Sequence, residues 1–155
     1  MATGLLHLHS MLRYAILIIL LIAIIQYIRS RASKKSFSSG DKTLSLLTML
    51  MMDIQFLVGG ILYFIGPNAP IKYFESASLG DIRDDKVASF FTLEHPVLII
   101  IALALVHIGH GVVKKDLSSD RKYKKLITMY TLAFIVIMIA VPWPFRELGR
   151  GWMPK

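Results

Sequence analysis

Cysteine is missing from the chain altogether, which excludes disulfides, thiolate metal sites and cofactors tethered through thioether bonds. Acidic residues are scarce, 10 Asp and Glu against 18 Lys and Arg. Catalytic signatures are equally wanting. There is no Gly-x-Ser-x-Gly elbow, no Walker loop and no His-Glu-x-x-His helix, so hydrolase, nucleotidase and zinc-peptidase chemistry finds no constellation. No repeat of solenoid length is visible. The net charge of +8 sits mostly in two short loops between apolar runs, the pattern of a membrane protein and not of a nucleic-acid binder.

What is abundant is hydrocarbon: 55% of the 155 residues are hydrophobic. They gather in four runs, about Leu5 to Ile28, Leu44 to Ile65, Leu93 to Val113 and Leu126 to Val141. Each approaches the ~20 residues that carry a helix across a ~30 Å hydrocarbon core. The expected fold class is therefore an all-α membrane protein, an antiparallel four-transmembrane-helix bundle forming one domain over 1–155. The first run lacks a basic leader and a small-x-small cleavage site, so it reads as a span and not a signal peptide. The fourth ends in PWPF, where prolines stop a helix and Trp143 suits the interface.

Loop 1 (RSRASKKSFSSGDK) and loop 3 (KKDLSSDRKYKK) hold eleven of the 18 basic residues. By the positive-inside tendency these loops are cytoplasmic, and both termini and loop 2 are periplasmic in a bacterial inner membrane. Loop 2, about Gly66 to Thr92, opens with turn chemistry in GPNAP. It reads as an ordered cap, with DDKVASFF able to start the third span early.

All five histidines, His7, His9, His95, His107 and His110, fall in spans 1 and 3 or at their ends. Ionisable side chains inside spans are costly and by default face a bundle interior. Counted from the inner ends at ~1.5 Å per residue, His9 lies about 28 Å up span 1 and His95 about 27 Å up span 3. Matched depth lets two imidazoles meet across a seam and hold a haem iron from both sides, a recognised use of bundle cores. Without cysteine that haem is non-covalent, hence haem b. His7 competes with His9 but points about 200° away round the helix. His9 is preferred because it lies deeper and shares a face with Arg13, while His7 could reach headgroups or a propionate. The competing reading makes all three outer histidines ordinary interfacial residues.

His107 and His110 share a face one turn apart. A second haem would need an opposing ligand, and spans 2 and 4 carry no histidine. Met49, Met51 and Met52 reach comparable depth, but span methionines are more often packing, so one haem is expected over two. Arg13 and Asp53 are the costliest residues in the apolar runs, about 22 Å and 14 Å up their helices. The expectation is a structural ion pair, against alternatives in which Arg13 balances a haem propionate or Asp53 carries protons. Gln55 and Gln26 could extend the polar contacts, and Gly59 with Gly60 allows close approach. His95-Pro96 frees a backbone carbonyl about a turn earlier.

Together LHLHSMLRY, Leu6 to Tyr14, and LEHPVLIIIALALVHIGHG, Leu93 to Gly111, make the chain resemble the small bacterial four-helix membrane cytochromes b of the broad b561-like group. That resemblance implies haem b between histidines, with His9 and His95 as ligands and His110 or His107 as a further one. It also implies electron transfer with a quinone or another redox subunit. One departure stands out: two-haem members pair histidines on opposing helices at both ends, and here the inner pair has no evident partner. The leading expectation is an electron carrier, not an enzyme in its own right, within the lipid bilayer and as part of a homo- or hetero-oligomer. The alternatives are a cofactor-free accessory subunit of a membrane assembly, or a haem- or metal-handling protein.

Overall fold

The structure is a computed structural model that describes residues 2–65, 69–148 and 151–152; Gly66, Pro67 and Asn68 of the expected GPNAP turn lie outside them. Two long helices come first, α1 (Ala2–Ala32) and α2 (Ser39–Ile65). Three short ones follow, α3 (Tyr73–Ser76), α4 (Leu79–Asp84) and α5 (Lys86–Ser89). A five-residue π-helical stretch, Phe90–Glu94, then feeds α6 (His95–His110), and α7 (Ser119–Ala140) completes the set. Among the described residues there is no strand. Four helices are long and apolar enough to cross a membrane: α1, α2, the continuous run Lys86–His110, and α7.

The helices outrun the apolar stretches because backbone hydrogen bonding, unlike hydropathy, does not stop at a charge. The third begins at Lys86, ahead of its apolar run, although at the other end it stops short, at His110 and not Val113. The fourth begins at Ser119, so Arg121 to Lys125 form helical turns and not loop. Two starts are fixed by the same device. In SSGD, Asp41 Oδ2 accepts from Ser38 N (2.8 Å) while Ser38 Oγ accepts from Asp41 N (3.3 Å). SLGD repeats this reciprocal cap at α4 with Ser78 and Asp81, at 3.0 and 3.2 Å, satisfying donors that a helix start leaves open.

α1 packs on α2 and α7, and α6 closes against the same two helices. The buried stripe of α2 is Asp41, Ser45, Thr48, Met52, Gln55 and Val58, at helical spacing. Its outward face carries Leu46, Leu47, Leu50, Ile54, Leu57 and Ile61. A helix more polar inside than outside is one solvated by hydrocarbon. At the basic-loop end three buried tyrosines lock the bundle. Tyr27 donates to Asp41 O (3.0 Å), Tyr123 to Asp41 Oδ2 (2.8 Å), and Tyr130 pairs with Ser45 Oγ (2.8 Å). Tyr130 also fills the space beside Gly109, where a Cβ would come within 2.7 Å of Tyr130 Cε1.

Two outcomes are expected. Gly109→Ala displaces the Tyr130 ring and costs about 1–3 kcal/mol, read as a lower midpoint in thermal unfolding of the detergent-solubilised protein. The hydrogen bonds from Ser78 hold the Asp81 carboxyl below the usual carboxylate range. A depressed folded value means that the cap contributes above the ordinary range and is lost as pH falls through that depressed value. Amide-exchange protection at Asp81, corrected for the intrinsic rate, should therefore drop on strong acidification, and Asp81→Asn should abolish that step.

Candidate functional site

The irregular stretch before α6 is where the site begins. Pro96 has no N–H, so the carbonyl of Thr92 loses its helical donor; Tyr63 OH supplies one from α2 at 3.0 Å. The wide turn Phe90–Glu94 sits immediately upstream, a departure from α geometry of the kind often found at functional positions. His95 follows it with Phe90 and Phe91 ring centroids at 5.8 and 6.5 Å.

His95 faces His9. Their ring centroids are 6.3 Å apart and the planes meet at 70°. The two histidines singled out by depth thus converge at one seam. His9 is held from α2: Gln55 Nε2 donates to His9 O (3.0 Å) and approaches His9 Nε2 at 3.3 Å. Gly59 allows the ring to lie close, since a Cβ there would be 3.0 Å from His9 Cε1. His7, one of the two candidates on α1, shares no hydrogen bond or ring contact with a described residue.

The end of α7 sets the His95 ring. The last four carbonyls of a helix lack intrahelical donors, and Pro142 and Pro144 in VPWPF bring no N–H to them. Val141 N takes Ile137 O (2.9 Å), Trp143 Nε1 takes Met138 O (2.8 Å), and Arg146 takes Ile139 O. The fourth, Ala140 O, accepts from His95 Nδ1 at 2.8 Å. That bond fixes the tautomer and leaves Nε2 as the lone-pair nitrogen.

Arg13 does not pair with Asp53, contrary to expectation. One of its terminal nitrogens donates to Tyr14 OH and to Trp152 O, both at 2.9 Å. Arg13 Nε and Gln55 Oε1 are buried without a hydrogen-bond partner among the described residues. Asp53 instead meets His107, Oδ1 to Nε2 at 2.7 Å. His110 bonds Ser45 through Nδ1 at 2.9 Å. Neither histidine joins the His9–His95 seam, and Met49, Met51 and Met52 belong to the hydrophobic core or pack against it. Among the described residues no group of three or more His, Asp or Glu side chains could hold a metal ion.

Ala140, Trp152 and Tyr63 had escaped sequence reasoning because their part is played by a backbone carbonyl, a tail carbonyl and a hydroxyl beside a proline-freed carbonyl. Only the last carries a readable signal, the His-Pro pair. No protein-family model, curated protein or solved structure matches the chain.

A double-mutant cycle tests the pairing. Asp53→Leu and His107→Leu should each cost about 1–3 kcal/mol of unfolding free energy and couple strongly, because either alone strands a polar partner in hydrocarbon. Arg13→Leu combined with Asp53→Leu should be additive. Strong Arg13–Asp53 coupling would contradict the geometry.

Proposed function

We propose that the protein is a haem b-binding electron-transfer protein of a bacterial inner membrane, working within a larger redox assembly that exchanges electrons with a quinone. In this reading the four crossings are antiparallel, the basic loops are cytoplasmic, and both termini and the His9–His95 seam lie toward the periplasm.

The convergence of His9 and His95 carries the proposal. Two imidazoles ligating one metal at about 2 Å each put their ring centroids about 6 Å apart, against the 6.3 Å between these rings. With no cluster of three metal-binding side chains among the described residues, the donor set suits iron that already has four ligands in a porphyrin better than a bare ion. The buried Arg13 Nε, without a partner among the described residues, adds a donor and a fixed positive charge suited to a propionate carboxylate. The residues therefore fit the group. When bound, haem supplies one-electron chemistry between ferric and ferrous iron.

The chain's own residues do the positioning. Ala140 O holds the His95 ring with Nε2 available, and Gln55 anchors the turn that carries His9. Phe90 and Phe91 line the His95 side and help exclude water. One observation favours the alternative of a cofactor-free accessory subunit: Gln55 Nε2 stands 3.3 Å from His9 Nε2, so the same seam works as a polar joint between helices.

Purified protein from haem-replete cells should show a sharp reduced α band, and both His9→Ala and His95→Ala should abolish it with helicity retained. His7→Ala should keep the band. A colourless wild-type preparation returns the seam to its structural role, and a band surviving both substitutions moves the ligands elsewhere.

A further inference from the structure

Two adjoining grooves open at the basic-loop end, where α1 finishes beside the start of α7. The larger, about 440 Å³, is lined in part by Ile28, Ile127, Arg31, Lys34 and Asp120. The smaller, about 130 Å³, shares Arg31, Lys34 and Asp120 and adds Lys35 and Ser119. The combined lining divides by chemistry. Ile28 and Ile127 stand at the ends of their apolar runs, at the hydrocarbon boundary. Beyond them, three cations against one carboxylate leave a surplus of two positive charges.

The backbone gives Lys34 particular weight. α1 ends in a Schellman turn, in which Lys34 N donates to Arg31 O and Lys35 N to Ser30 O, both at 3.0 Å. The residue at that bend is usually glycine, because the bend is left-handed. Here it is Lys34, at φ 52°. A lysine bears strain there that glycine would avoid, and what glycine would lack is a cation at the groove. Arg31 is set from the other wall by Asp120, Nε to Oδ1 at 2.8 Å. That bond uses one of five guanidinium donors. The four on the terminal nitrogens have no hydrogen-bond partner among the described residues.

We propose that the groove binds one anionic phospholipid, its phosphodiester among Arg31, Lys34 and Lys35 and the start of its acyl chains along Ile28 and Ile127. A ligand charged at one end and hydrocarbon at the other complements a lining so divided, and basic recesses between spans are a known mode of headgroup recognition. The open donors of Arg31 suit phosphate oxygens. A free phosphate would meet the cations but leave the apolar lobe unused, and a zwitterionic lipid would bring a cation of its own against the positive surplus. The groove lies at the opposite end of α1 from His9 and does not depend on the haem reading.

The test titrates the full chain, delipidated in neutral detergent, with phosphatidylglycerol or phosphatidylcholine of identical acyl chains, and counts bound lipid by native mass spectrometry. One phosphatidylglycerol should bind about tenfold more tightly than phosphatidylcholine, and millimolar glycerol phosphate should not displace it. Lys34→Gly should weaken the binding about fivefold, the share of one basic group near the headgroup, and Arg31→Gln about tenfold. Lys115→Gln, an equal loss of charge in the other basic loop and outside the groove, should leave it unchanged. Because glycine suits the bend, Lys34→Gly should also keep or raise the unfolding midpoint without lipid, so it decides the matter even if Arg31→Gln does not fold. Equal binding of the two lipids, displacement by glycerol phosphate, as strong a loss in Lys115→Gln as in Lys34→Gly, or a lowered lipid-free midpoint for Lys34→Gly each overturns the proposal.

Discussion

In hydrocarbon a polar group can be satisfied only by the protein itself, and that constraint organises every level of this bundle. At the basic-loop end, Asp41 is buried at 5% exposure yet accepts from Ser38, Tyr27 and Tyr123 through its side chain or carbonyl. Midway, Asp53 and His107 answer each other. At the far end, Gln55, His9, His95 and the open carbonyl of α7 form a third set. The apolar core between these levels fills space, with Leu20, Ala102, Leu126 and Ala133 wholly buried. It gives little directional information, because lipid tails are as apolar as leucine side chains. Register between helices therefore comes mainly from the polar contacts and from close fits such as Gly109 on Tyr130.

Run length and hydropathy were enough to read four long helices, and rise per residue was enough to bring His9 opposite His95. The same arithmetic failed for Arg13 and Asp53, and the reason is side-chain direction. Helical side chains lean toward the N-terminus of their own helix. His9 and His95 both sit near the N-terminal ends of α1 and α6, so both lean the same way and the depth match survives. Arg13 leans toward the start of α1, beside Trp152 O. Asp53 leans toward the start of α2, which meets the other end of α1 through Tyr27 and Asp41. The two charges are carried apart. For Asp53 and His107 the leanings converge, closing the roughly 5 Å difference in Cα depth. Helical rise together with this lean brings Asp53 to His107, the observed pair.

The inner histidines teach a related lesson. His107 and His110 share a helical face, but the sequence says nothing about which neighbours that face meets. Ser45 and Asp53 on α2 are the partners, and both were visible as polar interruptions of an apolar run. What could not be read was azimuth: a small rotation of α2 would have offered Thr48 or Met52 instead. The buried stripe from Asp41 through Ser45 and Thr48 to Gln55 fixes that rotation, and its 3.6-residue period was present in the sequence all along.

The bond from His95 to Ala140 O also changes how the PWPF ending should be understood. Two prolines stop α7 abruptly, and in water the stranded carbonyls would simply be hydrated. Near or within hydrocarbon they need donors, and the chain brings a backbone amide, an indole, a guanidinium and an imidazole to the four of them. His95 is therefore oriented by the requirements of another helix's terminus. That orientation comes from the protein alone and leaves Nε2 as the ring's lone-pair nitrogen. An imidazole held in this way has little side-chain entropy left to lose on binding anything through Nε2, a physical advantage of building the seam against a helix end instead of within a continuous helical wall.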